Sequence, residues 1–195
     1  MEEEMRRDQR AKMVVRNKDV LAEILIGAVP GFSGMTREEV KALIPGEGNI
    51  ADMRATVLDA PSEKTVIMDT CFDIGGDDPG SVIVAVDIQG YRVSEEESDG
   101  RMVMYASKLI SSQMLPGSQR RYSDIRKTHC VWVDLHPRPE LRNSIFVGRI
   151  AFEKVAGHDA ASIGPSELLS ITRIGLGVST DPSGHRLLDI LNTLW

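Results

Sequence analysis

The chain is poor in the residues that usually announce a site. Two cysteines, Cys71 and Cys130, stand 59 positions apart in 195 residues. Both lie in apolar, strand-like runs, so the sequence predicts reduced, buried thiols rather than a disulfide or a zinc centre. The four histidines, His129, His136, His158 and His185, show no metal-ligand spacing. Aromatics make up only 5% of the chain, which leaves its packing to Val, Ile, Leu and Met. No apolar run approaches the roughly 18 residues of a membrane span. The start, "MEEEMRRDQRAKMVVR", has no apolar signal core, so a cytoplasmic protein is expected. A net charge of −6 gives no global attraction to nucleic acid or anionic membrane, so DNA binding requires a local basic patch or a metal ion. Internal repeats and low-complexity tracts are absent.

Apolar residues, 42% of the chain, suffice for one sizeable core. "NKDVLAEILIGAVPG" has the spacing of an amphipathic helix that stops near Pro30-Gly31. In "GMTREEVKALIPG", Thr36 and Glu39 have capping-box spacing, and Pro45-Gly46 ends the helix. "ADMRATVLD" is a candidate strand. "TVIMDTCFDI" (65–74) and "SVIVAVDIQ" (81–89) read as a hairpin around a turn-rich loop. A helix is expected at about 99–114, with Asp99 as N-cap. "THCVWVDL" (128–135) and "SIFVGRIAFEKV" (144–155) read as strands. "SELLSITRIGLG" and "HRLLDILNTLW" read as helices. The fold class is therefore α/β.

Alternation along the hairpin fixes its expected register. Pairing Asp69 with Asp87, symmetric about residue 78, collects Val66, Met68, Thr70, Phe72, Ile74, Val82, Val84, Val86 and Ile88 on an apolar face. The other face carries Ile67, Asp69, Cys71, Asp73, Ile83, Ala85, Asp87 and Gln89. There Asp69 and Asp87 are cross-strand neighbours with Cβ atoms roughly 5 Å apart. Two adjacent carboxylates stay ionised cheaply only when something neutralises them. A hard divalent cation, Mg²⁺ or Mn²⁺, does so with one or two protein carboxylates. The alternative is a pair of solvated aspartates on the open face of a sheet. Asp73, nearer the turn, is expected to be solvated.

An Asp on one strand, then acidic-x-Lys/Gln on the next, resembles the core motif of the PD-(D/E)xK nuclease superfamily. The positions are Asp69 and Asp87-x-Gln89. With Gln, the motif is similar to the branch of PD-(D/E)xK nuclease family transposases, or recombination-promoting nucleases. That branch continues with Arg-x-x-x-Tyr, matched by Arg101 and Tyr105, and then with Gln, Gly and Tyr, matched by Gln113, Gly117 and Tyr122. The resemblance covers roughly residues 17–135, with a weaker echo at "LLDILNTLW". Asp87 stands where this branch usually has Glu, and Gln89 stands where the wider superfamily has Lys.

The resemblance implies a restriction-endonuclease-like core, a central mixed sheet with an antiparallel hairpin flanked by helices. It divides the chain into a charged segment (1–16), a nuclease-like domain (17–155) and a helical extension (156–195), shortened relative to similar chains. It implies a Mg²⁺-dependent deoxyribonuclease of mobile-element or recombination type, with DNA as partner and a homodimer for double-strand cutting. Asp69, Asp87 and the Ile88 backbone carbonyl would hold the ion, with Glu23 as a further candidate ligand. Gln89, Arg101 and Tyr105 complete the catalytic set. Arg101, Lys108, Arg120, Arg121, Arg126 and Lys127 are the expected DNA contacts. The basic stretch "SQRRYSDIRK" reads equally as a solvated loop. A catalytically degenerate module that binds DNA or protein, and a plain interaction domain without nucleic acid, are the competing expectations.

Overall fold

The structure is a computed structural model. It describes residues 10–11, 13–51, 57–58, 66–67, 69–75, 81–114, 121–150, 155–156, 168–178 and 183–195, without the side chains at 57, 58, 66 and 67. Met68, Gly117, Arg120, the loop at 76–80 and residues 151–154 lie outside the described set, as do the side chains of Val66 and Ile67.

Residues 10, 11, 13 and 14 are helical, and two further helices follow. Helix α1 (Lys18–Ala28) is capped by the Asn17 side chain, which accepts from the Asp19 N–H. Helix α2 (Arg37–Leu43) has both halves of the Thr36–Glu39 capping box. A two-stranded sheet pairs β1 (Val57–Leu58) with β2 (Val66–Ile67). The main sheet has five strands: β3 (Thr70–Ile74), β4 (Val82–Gln89), β5 (Lys127–Asp134), β6 (Ser144–Arg149) and β7 (Leu169–Gly175). Their order is β3-β4-β5-β7-β6. Strands β4, β5 and β7 are parallel, while β3 and β6 run antiparallel at the edges. Helix α3 (Glu95–Ser111) makes the crossover from β4 to β5, and α4 (Arg186–Leu194) closes the described chain.

The hairpin has the expected register. Thr70 faces Val86, Cys71 faces Ala85 and Phe72 faces Val84, all symmetric about residue 78. Its faces separate as the alternation requires. Phe72, Ile74, Val84, Val86 and Ile88 join the main core with Leu21, Ile24 and Leu25 of α1 and Leu187, Leu188 and Leu191 of α4. On the opposite face, Cys71, Ile83 and Ala85 pack against Leu109 of α3, with Tyr105 and Cys130 alongside. The molecule is thus three-layered, with α1 and α4 below the sheet and α3 above it.

Four expectations are corrected. Residues 65–74 are not one strand: β2 pairs with β1, and Asp69 sits at a bend before β3. Helix α3 starts at Glu95, not near 99, and its N-cap is Ser94 rather than Asp99. The Ser94 side chain accepts from the Glu97 N–H, and Glu95, Glu96 and Glu97 fill the first turn, where the helix dipole favours negative charge. "SELLSITRIGLG" is no helix but carries strand β7. Its Ser170, Thr172 and Ile174 are buried at a period of two, and Ile171 and Thr172 are β-branched. Finally, 156–195 is not an appended extension. Strand β7 lies between β5 and β6, and α4 completes the core. Likewise Ala11 and Val15, in the expected charged segment, are fully buried.

Gly175 ends β7 where no side chain fits. A Cβ there would run into the Leu141 carbonyl oxygen, well inside van der Waals contact. Backbone cannot step aside as a flexible side chain can. We therefore expect Gly175→Ala to lower stability by about 3 kcal/mol, read as a fall in the urea midpoint at unchanged slope.

Candidate functional site

One step past the last paired residues of the hairpin, Asp69 and Asp87 stand beside each other. The Asp69 N–H donates to Asp87 Oδ1 at 3.3 Å, and the Ile88 N–H donates to Asp69 Oδ2 at 2.9 Å. Each carboxylate thus takes a backbone N–H from the facing strand. The Gln89 carbonyl accepts from the Leu135 N–H, on the β5 side. Successive strand residues turn their backbone groups to opposite neighbours, so the Ile88 carbonyl faces the Asp69 side. Two carboxylates thus stand together at the end of the hairpin, with the Ile88 carbonyl on the same side of β4.

This face is not open. Helix α3 covers it, and Asp87 is only 8% exposed. The space beside Asp87, lined also by Tyr105, Cys130 and Trp132, is about 10 Å³. That admits one water and nothing larger. Burial, with the Cys71 thiol and Asp87 nearby, pushes the Cys130 thiol up to about 12. Cys71 and Cys130 flank Ala85 on its two neighbouring strands. Two strand spacings, roughly 9.5 Å, exceed the reach of a disulfide.

Gln89, Arg101 and Tyr105 are brought together. Gln89 is 2% exposed, accepts from Arg101 Nη1 at 2.9 Å and donates to the Tyr91 carbonyl at 3.0 Å. Arg101 also donates to the Tyr91 hydroxyl at 2.9 Å. Its guanidinium lies 5.7 Å from the Tyr91 ring, 5.8 Å from Tyr105 and 5.3 Å from Trp132. Tyr105 and Trp132 meet edge to face at 5.7 Å. The Arg101 cation is thus seated in three aromatic faces.

Trp132 and Tyr91 were not among the sequence candidates. In register, Trp132 pairs with Asp87 and Asp134 pairs with Gln89, so both share the candidate face. The alternation in "CVWVD" carried that signal. Arg173 of β7 pairs with Trp132 and ion-pairs with Asp134 at 3.2 Å and Glu95 at 2.6 Å. Its strand, β7, has apolar spacing that also fits a helix, and in a helix Arg173 would not share this face. Gln89, Tyr91, Glu95, Asp134 and Arg173 line a cleft of about 190 Å³ at the carboxyl ends of the parallel strands.

Other candidates fall elsewhere. Glu23 belongs to α1, on the opposite face of the sheet. It is 4% exposed and bridges Arg37 and Arg186, so it is not brought to Asp69 and Asp87. Lys108 is 7% exposed, too deep to meet a DNA backbone at the surface. Arg126 pairs with Asp73 at 2.8 Å and donates to the Ser81 hydroxyl, an internal strut rather than a surface cation. Asp73 is correspondingly ion-paired, not merely solvated. Arg121 and Lys127 remain exposed, but Asp124 sits 3.6 Å from Arg121, so the expected basic patch is diluted. Gln113 braces the chain: its side chain accepts from the Arg126 N–H and donates to Thr128. Among the described residues there is no group of three or more His, Cys, Asp or Glu that could hold a metal. No helix among them is long and apolar enough to cross a membrane.

Two buried or half-buried carboxyls are held ionised, Glu95 beside this region and Glu23 on the other face of the sheet. Arg173 draws the Glu95 carboxyl below its ordinary 4.5, against burial. At Glu23 burial works the other way, and hydrogen bonds from Arg186 and Arg37 outweigh it to lower the carboxyl. A carboxylate lowered in the folded state contributes stability above its unfolded value and loses it as pH falls through the folded one. The expected outcome is a melting temperature that falls steeply below pH 4.5, with a shallower fall in Glu95→Gln.

Comparison with family models, with curated proteins and with solved structures yields no match to this chain.

Proposed function

We propose that this chain is a metal-dependent DNA endonuclease of mobile-element or recombination type, working on a restriction-endonuclease-like core. The observation that carries this reading is the meeting of Asp69 and Asp87 at the end of the hairpin, each carboxylate accepting a backbone N–H. Further support comes from the mixed sheet with its antiparallel hairpin and flanking helices, and from the Gln89–Arg101–Tyr105 cluster.

The donor set suits Mg²⁺ or Mn²⁺. Asp69, Asp87 and the Ile88 carbonyl are hard oxygen donors, and Mg²⁺ commonly keeps several waters and takes one or two carboxylates. Bound there, the ion would supply Lewis-acid activation of water and neutralise charge on the attacked phosphate. The remaining work falls to side chains. Gln89 has both amide ends engaged, so its role is to position Arg101 rather than to hold a water. Arg101 is the group that offers charge to a phosphate. Tyr91, Tyr105 and Trp132 keep its guanidinium in place.

A second reading, a degenerate nuclease-fold module that binds DNA or protein, is favoured by one observation: the burial of Asp87 beside a space of about 10 Å³. One experiment separates the two. Plasmid is incubated with the protein in Mg²⁺, in Mn²⁺ and in EDTA, and metal binding is followed by calorimetry. Nicking or cutting only with metal supports the endonuclease. DNA binding with neither cleavage nor metal uptake supports the degenerate module.

A further inference from the structure

Adjoining the Arg101 cluster is a groove of about 1060 Å³. It runs along the carboxyl ends of the three parallel strands, where Gly90 follows β4, Leu135 follows β5 and Leu176 follows β7. Open α/β sheets bind ligands in this place, beyond the carboxyl ends of their strands. Its lining includes Arg10, Arg92 and His136, and no Asp or Glu among the described residues. In a chain of net charge −6, a large cleft whose charged side chains, among the described residues, are Arg10 and Arg92 is a local reversal of sign. Two aromatic side chains border the same groove: Tyr91, 57% exposed, and Trp195, 38% exposed. Met13 and Leu194, in the same lining, are exposed as well and give the rings an apolar surround.

Cations for phosphates and exposed rings for bases are the two ingredients of grooves that hold single-stranded nucleic acid. The volume lies just above the range for ligand clefts, about 300–1,000 Å³. It takes a nucleotide and part of its neighbour, not a duplex. From charge, ring exposure and place in the fold together, we infer that this groove binds an unpaired segment of DNA strand. Arg92 and Arg10 meet its phosphates, and Tyr91 and Trp195 stack on its bases. This rests on the nuclease reading above and assigns to it a subsite for unpaired strand. The link between the two is physical. The Tyr91 hydroxyl accepts from Arg101, so the ring that would stack a base also touches the candidate catalytic cluster.

The chain itself provides the probe. Its two tryptophans differ in exposure: Trp132 is 3% exposed and Trp195 is 38% exposed. Stacking in the groove therefore quenches Trp195 emission and leaves that of Trp132. The experiment titrates the full chain with hexathymidylate in EDTA, with thymidine 5′-monophosphate and a blunt duplex as further arms. The expected result is quenching by hexathymidylate, lost in Trp195→Phe. Binding weakens about five- to 150-fold in Tyr91→Ala. Its logarithm falls with log salt at a slope of about −1.4 for two phosphate contacts, and the slope shrinks in Arg92→Ala. Thymidine 5′-monophosphate quenches the same emission at higher concentration. Affinity for hexathymidylate that is unchanged in both Tyr91→Ala and Arg92→Ala overturns the proposal, as does tighter binding of the blunt duplex. Tyr91→Phe, which keeps the ring, retains binding. EDTA keeps cleavage out of the measurement. A protein that binds strand here but never cuts plasmid loses the endonuclease reading and keeps the groove. One that cuts but shows no quenching loses only the groove.

Discussion

Asp87→Asn reduces Mg²⁺-dependent plasmid cleavage at least about a hundred-fold, more than the ten- to hundred-fold typical of partners outside the ligand set. The substitution is nearly isosteric. The amide oxygen can still accept from the Asp69 N–H, so the hairpin end keeps its hydrogen bond. What is lost is the negative charge that would hold the cation. Asp69→Asn should behave alike, because its carboxylate accepts from the Ile88 N–H and an amide oxygen does the same. The melting temperature of both variants stays within a few degrees of the parent. Cleavage at the parental rate in both variants would remove the site assignment. Asp87→Ala is the poorer test, since it leaves the Asp69 N–H without its acceptor, a cost of about 1–3 kcal/mol, and confounds chemistry with stability.

Arg173→Met should unfold the protein far more readily. Arg173 donates to both Glu95 oxygens, at 2.6 and 3.2 Å, and to Asp134 at 3.2 Å, with its own side chain 12% exposed. The guanidinium ties the first turn of α3 to β5 and β7. Deleting one member of a buried charge set leaves the others uncompensated, at about 3–5 kcal/mol. For a chain of this length the melting temperature then drops by about 6–20 °C. Neutralising the stranded carboxylates in the same background, with Glu95→Gln and Asp134→Asn, should recover part of the loss. A shift below about 2 °C in Arg173→Met would show that the network contributes specificity rather than stability.

The hairpin was the most legible part of the molecule. Val82, Val84, Val86 and Ile88 against Ile83, Ala85, Asp87 and Gln89 admit one register, because a slip of a single residue exchanges the faces. The structure has that register, and the pairing of Asp69 with Asp87 follows from it. The spacing of Arg101 and Tyr105 was also informative, since residues four apart on a helix share a face. Strand β7 was not legible. "LLSITRIGL" carries apolar residues that suit a helical count as well as alternation, and only its two neighbours in the sheet decide between them. Losing β7 meant losing Arg173, and with it the roles of Glu95 and Asp134. The fate of the basic stretch was equally hidden. Arg126 and Arg121 look alike in sequence, but Asp73 draws one inward, and that pairing spans 53 positions. Long-range partners of this kind leave no local pattern.

The place of β7 also bears on how the chain comes into being. Strands β3, β4 and β5 are all made by residue 134, yet the strand that covers the far side of β5 arrives only at 169–175. During synthesis β5 therefore presents an unpaired edge for some thirty-five residues after it is made. Such an edge invites pairing with another chain. Its closure awaits contacts distant in sequence, which form slowly. A chain interrupted before residue 168 would retain the whole Asp69–Asp87 hairpin and still be left with an open edge on β5. The edge of β5 is closed by the last sixth of the sequence, while the candidate chemistry is written in the middle.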